Sequence, residues 1–261
     1  MTQEQFPFTD EQFSAALRDT IRTILINPAL VPVSHPRAVL FGGQSGAGKS
    51  TLHVVEKKAF DDNVVVINGD EYRSSHPHFR QIQETYGIDA PAHTAHWSGK
   101  MVEALIEAFA GQKYNLVIEG TLRTSEVPLA TARLLRQHGY SVSLAIIAVK
   151  PEISLLSCQI RYEMMRIAGT TPRATDPAHH DRIVHDIVDN LAVLEKSGEF
   201  DAIELYDRSG MCLFASEGTE PSGETPASDA LRNVLFGDWT QEELQHLDDL
   251  NRKLAQLKEI P

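Results

Sequence analysis

Residues 41–50, FGGQSGAGKS, restrict the possible folds more than any other stretch of the chain. Gly43, Gly48, Lys49 and Ser50 satisfy G-x-x-x-x-G-K-[ST], between an apolar run ending at Leu40 and a stretch with helical periodicity. A strand that turns through such a loop into a helix gathers successive backbone N–H groups around one point, and the helix N-terminus adds partial positive charge there. Such a cradle holds phosphate oxygens. Lys49 can reach β- and γ-phosphates and the Ser50 hydroxyl can hold Mg²⁺. Gly43, Gln44, Ser45, Gly46, Ala47, Gly48, Lys49, Ser50 and Thr51 are therefore the candidate ATP-binding segment.

The remaining sequence supplies the layers this loop needs. Apolar runs at 38–42, 64–68, 115–120 and 142–149 read as buried strands. Helix-period stretches at 101–109, 128–137, 152–167 and 181–196 lie between and after them. Strands alternating with helices predict an α/β fold, a P-loop kinase-like parallel sheet covered by helices on both faces. An opening amphipathic helix is marked by the capping pair Thr9 and Gln12 and by Phe13, Leu17, Ile21 and Leu25. AGTTPRATDP, which contains Arg173, reads as a lid-like loop, and AIELYDRSGMCLFAS as a hairpin turning at 207–210. The composition divides the chain into a kinase domain at 1–216, an acidic Pro/Gly/Ser-rich linker at 217–228 and a C-terminal helical appendage at 229–261. In that last segment Thr240 and Glu243 form a second capping pair, ahead of a stripe of Leu244, Leu247, Leu250, Leu254 and Leu257. Packing back onto the domain is the expected use of that stripe.

A phosphate loop serves switches, motors and kinases alike, so the neighbouring strand ends decide between them. Asp70 follows VVVING and Glu119 ends NLVIEG, both where parallel sheets present side chains to ligands. A carboxylate there can accept the proton of an attacking hydroxyl or hold Mg²⁺ through water, and the sequence offers one candidate for each task. No N-K-x-D motif for guanine occurs. A small kinase is the expectation.

These segments resemble the zeta toxins of bacterial toxin–antitoxin systems, P-loop kinases of UDP-N-acetylglucosamine. The likeness runs from Phe8 to Ser216 through FTDEQF, FGGQSGAGKST, VVVINGDEYRSSHPHF, YNLVIEGTLRTSEVPLATARLLRQHGY, IRYEMM and IELYDRSG. The resemblance implies that Lys49 and Ser50 bind ATP and Mg²⁺ and that Asp70 is the base for the sugar 3′-hydroxyl. It implies also that Glu119, Thr121, Arg123 and Thr131 line the sugar-nucleotide site, and that Arg161 and Arg173 clamp the transferring phosphate. The partner it implies is an antitoxin, expected as a separate chain because no antitoxin-like segment precedes the kinase segments.

Composition narrows the remaining classes. A net charge of −12 argues against a broad basic surface for nucleic acid, and two polyanionic substrates then need local cations, for which Arg123, Arg161 and Arg173 are candidates beside Lys49. Cys158 and Cys212 are expected as small buried hydrophobes, and the clusters His93, His96 and His179, His180, His185 as solvated side chains, not a metal site. No apolar run spans a membrane and no signal peptide opens the chain, which predicts a cytoplasmic protein. Two other functions fit the loop and Asp70: a kinase of another small metabolite, and a non-catalytic nucleotide-dependent regulator.

Overall fold

Strand β1 (Arg37–Gly42) is buried at every position after its first, the signature of a strand covered on both faces. In the computed structural model, which describes residues 6–217 and 225–260 apart from Thr171 and Arg173, it lies inside a six-stranded sheet. The other strands are β2 (Val65–Ile67), β3 (Leu116–Glu119), β4 (Ser141–Ile147), β5 (Ala202–Tyr206) and β6 (Cys212–Glu217). Their order is β2-β3-β1-β4-β5-β6, with only β6 antiparallel. The expected hairpin therefore forms the sheet's antiparallel edge. The carboxyl ends of β1, β2 and β3 share one edge, which brings the phosphate loop beside the two strand-end acids.

Helices fill both faces because β1 alternates. Ala38 and Leu40 join a core with residues of α6 (Ala95–Gly111), α7 (Glu126–Gln137), α9 (Pro177–Lys196) and α10 (Ala227–Phe236), closed at one end by Phe13 of α1 (Asp10–Ile24). Val39 and Phe41 join the opposite core with Leu52 of α2 (Ser50–Ala59) and Ile153 of α8 (Pro151–Ile167), and Leu247 and Leu250 of α11 (Gln241–Lys258) pack against it. Three short helices, α3 (Gly69–Tyr72), α4 (Phe79–Tyr86) and α5 (Ala90–His93), link β2 to α6.

Both capping boxes form, Thr9 with Gln12 and Thr240 with Glu243, each side chain bonding the other's backbone N–H. The leucine stripes shift slightly. Leu25 ends α1 as a partly exposed cap, and Leu244 faces solvent while Leu254 is buried. Helix α10 begins at Ala227, within the acidic, Pro/Gly/Ser-rich stretch, because Ala227 is buried and Glu195 accepts a hydrogen bond from its N–H at 2.7 Å. Residues 218–224 lie outside the described residues. Two sequence expectations are corrected. Cys212 opens the edge strand β6 and is exposed, unlike Cys158. Among the histidines, His180 is buried in α9, whereas His93 stacks on Tyr86 with ring centroids 3.4 Å apart and stays exposed as expected.

One buried carboxyl couples the fold to pH. Glu56 of α2 is pushed up to about 7, first by burial and then by Glu204, with Arg37 opposing. A raised folded-state value means that the proton is held more tightly in the folded chain. Its contribution is full below the ordinary value of 4.5 and is lost as pH rises through 7. Urea unfolding should therefore find Glu56→Gln equal to wild type near pH ~4 and more stable by about 2 kcal/mol near pH ~8. Equal stability of the two proteins at the higher pH would show that Glu56 ionises in the folded chain at no cost.

Candidate active site

The phosphate loop depends on three left-handed glycines. Gly43, Gly46 and Gly48 have φ of +134°, +77° and +103°, a region that side chains disfavour. Gly46 is also held close to α8: a Cβ there would collide with the Ser154 carbonyl and approach Cys158 Sγ to 2.8 Å. Gln44 and Ala47 point inward and are fully buried, so the atoms they can offer a phosphate are backbone ones. Gln44 Nε2 donates to the Val149 carbonyl at 3.0 Å and to Ser154 Oγ at 3.3 Å. Ser154 in turn meets His180 Nε2 at 2.8 Å, so the loop is braced by α8 and α9 together.

Lys49 Nζ donates to the carbonyls of Gly43, at 2.8 Å, and Gln44, at 3.3 Å. Burial pulls its pKa below the ordinary lysine value, against an upward influence from Glu119 and a smaller one from Asp70, while Arg161 adds to the lowering. Two carboxylates and a guanidinium thus stand within electrostatic reach of one ammonium. Ser50 is exposed at the start of α2, and the Thr51 hydroxyl donates to the Arg208 carbonyl at 3.0 Å.

The acids are held differently. Asn68 caps α3 by accepting from the Asp70 N–H at 3.0 Å. Arg73, one turn later, donates through Nε to Asp70 Oδ1 at 2.8 Å, and its Nη1 is anchored by the Pro91 carbonyl and Thr94 Oγ1 at 2.6 and 3.0 Å. The Asp70 side chain remains 55% exposed. Glu119 pairs with Phe41 across β3 and β1, and its Oε2 lies 2.8 Å from His53 Nε2 of α2. Its side chain is only 20% exposed. Asp70 is the acid with room to meet a second molecule.

After Glu119 the chain turns through Leu122, whose φ of +53° is unusual for leucine. Asn190 of α9 holds that turn by donating to the Leu122 carbonyl at 2.8 Å. The Leu122 side chain occupies the space where a Cβ on Gly42 would lie, seating the turn on the end of β1. Thr121 is half-buried here, and Arg123 is exposed. The Thr131 hydroxyl bonds within α7 to the Val127 carbonyl at 3.0 Å.

Arg161 is exposed on α8, and Arg173 lies outside the described residues. Sequence reasoning misses three side chains that order the site: His53, Arg73 and Arg208. Arg208, in the β5–β6 turn, donates to Ser157 Oγ at 2.7 Å, and its Nε lies 3.5 Å from the position of a Cβ on Gly48. Burial lowers its pKa. Only its place in the DRSG turn could have flagged it.

A sequence profile described as zeta toxin matches residues 24–219. Toxin PezT of Streptococcus pneumoniae is 43% identical over 253 residues, 97% of this chain and 98% of that protein. Toxin zeta of Streptococcus pyogenes is 38% identical over 210 residues, 80% of this chain and 72% of that protein. A solved structure from the PezAT chromosomal toxin–antitoxin system of Streptococcus pneumoniae superimposes with a TM-score of 0.88 at 41% identity, covering 98% of this chain and all of that one. The AvrRxo1-ORF1:ORF2 complex shares the fold at 14% identity, with a TM-score of 0.61 over 96% of this chain and 82% of that one.

Proposed function

The chain belongs to the zeta toxin family, and from that membership we propose that it transfers the γ-phosphate of ATP to the 3′-hydroxyl of the amino sugar of UDP-N-acetylglucosamine. The observation that carries the reading is the phosphate loop, shaped by left-handed Gly43, Gly46 and Gly48 and bearing Lys49, at the end of β1 beside the parallel strands β3 and β2, which Glu119 ends and Asp70 closely follows. In this reading the loop amides and Lys49 hold the phosphates. Asp70, exposed and oriented by Arg73, takes the hydroxyl proton as the sugar oxygen bonds to the γ-phosphorus and the bond to the β-phosphate oxygen breaks, releasing ADP. Arg161, with Arg173, offsets the charge that gathers on the transferring group.

Hard oxygen donors suit Mg²⁺, and the exposed Ser50 hydroxyl together with the Glu119 carboxylate, acting through water, would hold the ion that accompanies ATP. That ion would neutralise phosphate charge. His53 keeps Glu119 in place from α2, and Glu119, Thr121, Arg123 and Thr131 are proposed to receive the sugar nucleotide. The biological consequence is loss of a cell-wall precursor and arrest of growth, restrained by a separately encoded antitoxin. Among the described residues no helix is long and apolar enough to cross a membrane.

The test is direct. Purified protein incubated with ATP, Mg²⁺ and a panel of UDP-sugars should add one phosphate to UDP-N-acetylglucosamine, located at the 3′-oxygen by phosphorus–proton coupling. Phosphorylation of none of the panel, with ADP formed no faster than in their absence, would remove this substrate assignment.

A further inference from the structure

Asp70 stands on a short support. Helix α3 has four residues, too few to hold their own shape, and the carbonyls of Gly69 and Tyr72 lie on either side of the acid. The first turn of α6 takes both. Ser98 Oγ donates to the Gly69 carbonyl at 2.6 Å, and Trp97 Nε1 donates to the Tyr72 carbonyl and to Ser75 Oγ, each at 3.0 Å. Thr94, which precedes α6, accepts at 3.0 Å from Arg73 Nη1, and that same arginine bonds Asp70 through Nε. Residues 94, 97 and 98 are three and four apart, so one helical face supplies every one of these contacts. The two helices come this close because residue 69 is glycine: a Cβ there would lie 2.8 Å from Ser98 Oγ and 3.2 Å from Val102 Cγ2.

Trp97 is locked in its turn. It is 1% exposed, and Phe8 and Phe13 meet its ring in T-shaped contacts with centroids 4.8 and 5.4 Å away, while His76 lies at 5.0 Å. Lys100 Nζ sits 4.4 Å from the Phe13 ring centre and donates to Asp10 at 3.1 Å, which pins the start of α1 to the same turn of α6. The Asp70 side chain, by contrast, is 55% exposed. Little packing fixes such a carboxylate, and its place relative to the phosphate loop is inherited from whatever holds the backbone around it. That place matters, because a general base must come within about 3 Å of the oxygen it deprotonates, and a misplacement of ~1 Å can cost on the order of 10²-fold in rate.

We propose that Trp97 and Ser98 are positioning residues for the transfer: by holding the backbone on either side of Asp70 they set the reach of its carboxylate to the acceptor hydroxyl. The proposal rests on the reading of Asp70 as the base, and the test keeps the two apart. Ser98→Ala removes one hydroxyl and Trp97→Phe one N–H, each made in wild type and in Asp70→Asn. In single-turnover transfer to UDP-N-acetylglucosamine at saturating MgATP, each should slow the otherwise wild-type protein on the order of tenfold, with ATP affinity by titration calorimetry within about twofold. In Asp70→Asn no base is left to aim, and the same substitutions should change the residual rate by less than about twofold. A general loosening of the fold would instead slow both backgrounds alike.

If wild type transfers no phosphate, or Asp70→Asn transfers it at the wild-type rate, the functional reading falls and the positioning role with it. If that reading holds, the positioning role alone falls when a folded Ser98→Ala keeps the wild-type rate, when the loss is as large in the Asp70→Asn background, or when ATP binding weakens in step with the rate. Ser98→Ala, a change of one oxygen atom, decides by itself if Trp97→Phe does not fold.

Discussion

Asp70→Asn should turn over about 10²–10⁴-fold more slowly than wild type while binding ATP nearly as well. The replacement isolates one property. Asparagine retains an oxygen that can accept from Arg73 Nε, the 2.8 Å contact that orients this side chain, yet it cannot take a proton. ATP affinity should even rise slightly as a negative charge leaves an anion-binding site. Single-turnover measurement at saturating ATP, beside an equilibrium titration, separates the two effects. Lost ATP binding with an unchanged single-turnover rate would make Asp70 a ligand of the nucleotide or its metal, and Glu119 the next candidate for the base.

Lys49→Ala should lower turnover by on the order of 10³-fold or more and abolish growth arrest on expression, with the fold intact. Chemistry and stability part company at this residue. Burial already opposes the ammonium's charge, and its described hydrogen bonds go only to two carbonyls of its own loop. Removing it should leave thermal unfolding within about 0.5 kcal/mol of wild type, since no core contact is lost. In the proposed reading the transferring phosphate, by contrast, loses a cation held on the loop itself. ADP formation at the wild-type rate in a folded, purified Lys49→Ala protein would refute the assignment.

The parts of the fold legible in the sequence are those whose signals are local. The loop motif occupies eight consecutive positions, and four apolar runs fix β1 to β4 within a few residues because strands buried on both faces need unbroken hydrophobic stretches. Asp70 and Glu119 are legible for the same reason, each closing such a run. The residues that orient them are not. His53 and Glu119 lie 66 positions apart and meet because β3 pairs with β1, whose loop leads into α2. Arg208 reads as a hairpin-turn residue until the antiparallel edge returns it to Gly48. The acidic, Pro/Gly/Ser-rich stretch conceals the start of α10, whose Ala227 owes its place to Glu195, 32 positions earlier.

The bonds from Lys150 to Gly237 and Asp238 bear on how the chain can be handled as an object. Composition invites a cut near residue 217, as if a finished enzyme ended there. Across that cut, however, Leu231 and Leu235 sit in the main core, Glu195 holds the start of α10, and Arg166 grips the far end of α11. None of these ties runs through residues 218–224. Severing that connection separates two pieces joined by packing, while discarding the second piece strips the first of part of its interior. The segment after the linker is therefore an integral part of one folding unit and not a removable tail.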